Sequence, residues 1–254
     1  LYSVNLAPGD THTIKLRLTK ESLTNPFDNN FDTIFKNRQA ESDQFFESLT
    51  SSKDEQLRSI QKQAFAGLLW TKQYYNYDVE TWLQGDPKEP TPPKERLLGR
   101  NSNWKTLRNH DILSMPDKWE YPWFAAWDSA FHCVTWALVD LTFAKQQLLL
   151  FTKEWYMAPN GQIPAYEWSF SDVNPPVQAW AALQIYKIEK RRGGNGDVAF
   201  LKRIFNKLAL NFTWWVNRLD SSQNNVFEGG FLGLDNIGVF DRSHGIPGNG
   251  TLEQ

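Results

Sequence analysis

The feature that most limits the fold is a change of period near Asn29. Before it, residues 2–18 alternate: VNL, a Pro8-Gly9-Asp10 turn, then THTIKLRL. That is the pattern of two short strands joined by a tight turn. Two strands do not make a stable sheet alone, so residues 1–20 are expected to be the last strands of a β-domain cut off upstream. From Asn29 the apolar residues Phe31, Ile34, Phe35, Phe45, Phe46 and Leu49 return at helical spacing. The pattern runs on through residues 53–82 with Leu57, Ile60, Ala64, Leu68, Leu69 and Trp82, and Ser52 or Asp54 can cap its start. Further helices are predicted at 129–140, 143–155, 177–190 and 198–219. The connectors alternate in length. Residues 85–119 and 158–174 are long, polar or Pro/Gly-rich loops, whereas Gly193-Gly194-Asn195-Gly196 is a short turn. Residues 221–254 are Gly- and Asn-rich with no helical period. A mainly α fold follows, with residues 29–254 read as the first half of an α/α toroid. In such a ring short turns lie on one side, and long loops on the other build a pocket.

Several function classes are excluded early. Net charge is −2 over 254 residues, without the basic stripe a nucleic-acid partner would need. The longest apolar stretch, residues 137–151, is broken by Asp140, Lys145 and two glutamines, so no membrane span is expected. Cys133 is the only cysteine; it sits in an apolar helical run and is expected in the core. The four histidines have no metal-ligand spacing, and His132 is expected to pack or hydrogen-bond near Asp128. Residues 1–10 carry neither an initiator Met nor a leader pattern, so the sequence is expected to start inside a longer protein. Aromatic content is 15%, with 12 Trp. Trp rings suit both core packing and stacking on the apolar face of a sugar.

Glycosidic hydrolysis needs two carboxyl groups on opposite sides of the anomeric carbon, so Asp and Glu in aromatic loops are the residues to weigh. Residues 119–132 (WEYPWFAAWDSAFH) hold Asp128 behind a dense aromatic run. Asp128 is either a helix N-cap or a group presented to a ligand. Residues 225–243 (NVFEGGFLGLDNIGVFDRS) hold Glu228, Asp235 and Asp241 among glycines, which either form turns or let backbone approach a ligand. Residues 160–174 (NGQIPAYEWSFSDVN) offer Gln162, Tyr166, Glu167 and Trp168 to bind hydroxyls and stack on a ring. The plainer reading of these is a packed connecting loop.

At residues 115–132 (MPDKWEYPWFAAWDSAFH), 160–180 (NGQIPAYEWSFSDVNPPVQAW), 233–243 (GLDNIGVFDRS) and 247–254 (PGNGTLEQ), the chain resembles bacterial members of glycoside hydrolase family 63. The resemblance implies a β-sandwich followed by a six-hairpin (α/α)6 barrel. It also implies hydrolysis of α-linked glucosides or related oligosaccharides with inversion, and no cofactor or metal. The partner implied is a saccharide. The Asp of a Gly-[Leu/Met]-Asp-Asn motif, here Asp235, is the implied general acid. The Asp of the Trp-Asp motif, here Asp128, is implied to hold the sugar or the attacking water. Tyr121 and Trp127 match aromatic positions of that subsite. Trp123, Gln162, Tyr166 and Glu228 join them by their nearness to the motifs. The family's general base lies roughly two hundred residues past the acid, beyond Gln254, so the 254 residues alone are expected to be inactive. Rival readings are a non-catalytic carbohydrate-binding module and a trehalase-like or debranching-type glycosidase.

Overall fold

The structure, a computed structural model, describes residues 2–116, 121, 123–167, 170 and 173–218. It is mainly helical, with seven α-helices and four short strands among the described residues. The chain divides into two compact units, Leu1–Lys62 and Gln63–Gln254.

In the first unit the Pro8-Gly9-Asp10 turn forms. The Asp10 N–H donates to the Ala7 carbonyl at 3.0 Å, and the Ala7 N–H donates to Asp10 Oδ2 at 3.1 Å. The alternating runs on either side form no strand. A hairpin gains stability only against further strands or a helix face, and Val4, Leu6, Leu16 and Leu18 stay exposed here. Helix α1 is Asn29–Ser48. Asp28 caps it, accepting from the Phe31 N–H at 3.2 Å. Helix α2 is Glu55–Leu69. Of its two candidate caps Asp54 serves, with Oδ1 accepting from the N–H groups of Gln56 at 2.8 Å and Leu57 at 3.1 Å.

The helical pattern does not run to Trp82 as expected; α2 stops at Leu69. The Thr71 hydroxyl turns back to the Leu68 carbonyl at 2.7 Å, and the chain then enters a ribbon. Strand β1, Lys72–Tyr74, pairs antiparallel with β4, Ile112–Ser114. Strand β2, Tyr77–Asp78, pairs with β3, Arg108–Asn109. The registers Lys72↔Ser114 and Tyr77↔Asn109 belong to one continuous alignment. The Tyr75 N–H bridges the gap to the Asp111 carbonyl at 3.0 Å, and the Met115 and Val79 N–H groups extend the ladder at its ends to the carbonyls of Thr71 and Leu107. The two small sheets are therefore one ribbon, interrupted at Tyr75–Asn76. The short helix α3, Val79–Gln84, follows, capped by Asp78 on the Thr81 N–H at 2.8 Å. The expected long loop 85–119 thus carries the return arm of a hairpin and a 3₁₀ turn at Lys94–Leu98.

The remaining helices are α4 (Ala126–Trp136), α5 (Leu141–Leu150), α6 (Gln178–Arg191) and α7 (Val198–Val216). Asp140 caps α5 and Asp197 caps α7. Helix α4 packs on α5 and α6, and α6 on α7. Cys133, Trp136, Leu148, Ile185, Phe200 and Ile204 fill the core between them. Residues 137–140 and 192–197 are short connections and 151–177 is long, so the expected alternation holds over this stretch. A second core, beneath the ribbon, joins Tyr75, Leu113 and Met115 to Phe124, Phe151 and Tyr156.

Candidate functional site

The start of α4 carries the aromatic segment singled out in the sequence. The N-cap is Ala125, without a side-chain cap bond, and Asp128 lies inside the first turn. Asp128 is therefore not the cap. A carboxylate there still gains from the helix dipole. The Tyr121 hydroxyl donates to Asp128 Oδ1 at 3.3 Å. Tyr121 is itself held from below, its carbonyl accepting from the Tyr75 hydroxyl at 2.8 Å.

The first amides of a helix lack partners within it, and here neighbouring elements supply them. The Ala126 N–H donates to the Ala165 carbonyl at 2.9 Å. The Ala125 N–H lies 3.1 Å from Met115 Sδ. The Phe124 N–H donates to Glu167 Oε2 at 2.8 Å. The ribbon and the 151–177 connection thus fasten the backbone that leads into Trp127 and Asp128. Trp123, Trp127 and Asp128 remain half-buried. The Trp123 ring lies 5.9 Å from that of Tyr166, and Trp127 meets Phe131 edge-on at 6.0 Å.

The structure brings Tyr121 to Asp128 and Trp123 to Tyr166. Gln162 is turned inward, its amide donating to the Phe170 carbonyl, so it clasps its own loop. His132 is partly buried and hydrogen-bonds to Ser114: its Nδ1 sits 2.8 Å from Ser114 Oγ, and burial lowers its pKa. Asp235 and Glu228 lie outside the described residues.

Glu167 is more central than its sequence neighbours suggested. It is 7% exposed, so it does not offer itself to a ligand at the surface. Its Oε2 holds the Phe124 N–H, and its Oε1 receives the Asn109 amide at 3.5 Å. Its backbone carbonyl receives the Asn101 amide. The Tyr156 hydroxyl lies 2.7 Å from Asn109 Oδ1 and 2.8 Å from Asp111 Oδ2. Burial pushes the Glu167 carboxyl up to about 8, against the lowering effect of its own and the Phe124 N–H groups and of Asn109. It is a protonated acid over most of the neutral range. A lone Glu between Tyr and Trp carries no local signal of this, because its partners come from residues 101–124.

Gly161 brings the long connection against α7. Its φ is +93°, a region open to glycine, and a Cβ there would collide with the Leu210 carbonyl. The Gly161 carbonyl accepts from the Asn211 amide at 2.8 Å. Among the described residues no His/Cys/Asp/Glu cluster could hold a metal ion, and no helix is long and apolar enough to cross a membrane.

Residues 121–231 match the family model described as mannosylglycerate hydrolase MGH1-like glycoside hydrolase domain. That stretch is similar to a glycoside hydrolase domain. The match begins at Tyr121 and includes Asp128, Glu167 and Glu228; Asp235 lies past its end. The uncharacterized protein YMR196W of Saccharomyces cerevisiae is 54% identical over 261 residues, covering 98% of this chain and 24% of that protein. The chain spans about a quarter of the length of this relative. No solved structure matches the chain.

Proposed function

We propose that these residues form part of the active site of an inverting glycosidase acting on α-linked glucosides or related oligosaccharides. Asp235 is the general acid that protonates the glycosidic oxygen. Asp128 holds the sugar or the attacking water, steadied by the Tyr121 hydroxyl. Tyr121, Trp123 and Trp127 wall the subsite, with Glu228 beside it, and Gln162 and the buried Tyr166 support the loop behind it. A second carboxyl group, acting as base, activates the water on the opposite face of the sugar. Such a pair of carboxyls stands roughly 6.5–9.5 Å apart to admit the water.

The observation that carries this reading is the placement of Asp128. It lies in the first turn of α4, behind the Ala125 cap, and takes a hydrogen bond from Tyr121, within a stretch similar to a glycoside hydrolase domain. The test uses the intact protein on a panel of α-glucosides, with mannosylglycerate included because the matching family is described by it, and follows the product anomer by NMR. D235N is expected to abolish hydrolysis. D128N is expected to lower kcat/KM by about 10²–10⁴-fold, the usual range for a positioned group. Near-normal turnover by D235N, or retention of anomeric configuration, overturns the reading.

A further inference from the structure

A second feature lies at the end of the helix bundle where α4 and α6 begin and α7 finishes. A cavity of about 10 Å³ there is lined by Ala126, Gln178, Asn211 and Trp215, with Asn174 beside them. That volume is about the room one water-sized group requires. Asn174 is 7% exposed, and among the described residues neither its Nδ2 nor its Oδ1 has a hydrogen-bond partner. Buried amides are nearly always paired, because leaving both ends unpaired is costly. An amide that is closed off from water, lines a cavity and is unpartnered at both ends is suited to a guest that donates and accepts at once.

We infer that this cavity is a hydroxyl-binding subsite in which the Asn174 amide takes one hydroxyl of the saccharide. The inference rests on the glycosidase reading above and deepens it. A hydroxyl both donates and accepts, matching Oδ1 and Nδ2. Gln178 and Asn211 add neutral amides and Trp215 an indole to the wall, and among the described residues no charged side chain lines it. The guest is thus uncharged and polar. The position fits as well: Ala126, in the cavity wall, is followed directly by Trp127 and Asp128 in the first turn of α4. Asn211 is fixed from behind by its bond to the Gly161 carbonyl, so the cavity keeps its shape before a guest arrives.

The experiment is calorimetric titration of the full 254-residue chain with methyl α-D-glucopyranoside, methyl α-D-mannopyranoside and their monodeoxy derivatives, for the native sequence and for N174A. The native chain is expected to bind one parent glycoside and to lose about tenfold in affinity when one particular hydroxyl is deleted. N174A is expected to bind that parent about tenfold more weakly and to stop distinguishing the deoxy derivative. Its unliganded melting temperature should not fall, because the amide removed had no partner to lose. If N174A binds every glycoside as the native chain does, the cavity holds water only and the inference is overturned. A lower melting temperature together with lost affinity makes Asn174 structural and also overturns it. If the native chain binds none of these glycosides, the inference and the glycosidase reading fall together.

Discussion

Replacing Glu167 by Gln isolates the buried acid beneath the aromatic segment. Its carboxyl titrates at about 8 in the fold against an ordinary 4.5, so the native state holds a proton that the unfolded chain has released. The folded-state value is raised, and this group's contribution is therefore full below about pH 4.5. It is lost as the pH climbs towards 8, at about 1.4 kcal/mol per unit. Across the whole gap that is on the order of 5 kcal/mol, a large fraction of a domain's stability. Above pH 8 both states are ionised and the slope vanishes. Gln keeps an oxygen for the Phe124 N–H and cannot ionise. Urea midpoints measured from pH 5 to 9 should show the native chain losing on the order of 2 M relative to E167Q. The two curves should lie close together at pH 5, diverge up to about pH 8 and stay apart by a constant amount above it. A difference that stays flat with pH, or that shrinks as pH rises, refutes the account of Glu167 as a buried, protonated acid.

Gly161→Ala combines a positive φ with a collision against the Leu210 carbonyl; it should cost about 3 kcal/mol, read as a lowered melting temperature, and an unchanged melt would contradict the close packing of this loop on α7. Lys145→Met removes a cation whose Nζ lies 3.0 Å from both Glu189 and Asp197. The loss should be about 2 kcal/mol, between surface and fully buried pairs, and an unmoved urea midpoint would show that the cluster contributes nothing net. Burial pushes the Cys133 thiol up and encloses it completely, so a disulfide reagent should label it only after denaturant is added; rapid labelling of the native chain would place that side of α4 in solvent.

Helices α4 to α7 were legible because their apolar faces keep a period that local sequence reveals, and their connections have the expected alternation. The ribbon was not legible. Its paired residues lie about thirty to forty apart in sequence, and the KQYYNYD stretch reads as a continuation of α2 until its partner is known. The runs around Pro8-Gly9-Asp10 show the converse. Their alternation is clear, yet alternation alone does not make a ladder. At the site, the aromatic density drew attention to the segment before Asp128, and the cap geometry removed the N-cap reading. What sequence could not convey was Glu167 and Asn174. A carboxyl becomes a buried acid, or an amide becomes unpaired, only through neighbours contributed by distant elements.

The single alignment of the ribbon sets a boundary within the chain. Residues 80–106 leave and return through one clasp, with Val79 bonded to Leu107 at its mouth. Closing a long loop grows more costly only slowly with its length. Length changes in the outer part of that excursion therefore leave the pairing below it intact, and with it the footing of Tyr121 through Tyr75. Variation among related chains can accumulate outside the clasp, and even a break in the backbone near residue 90 would leave two pieces still zipped together beneath the site.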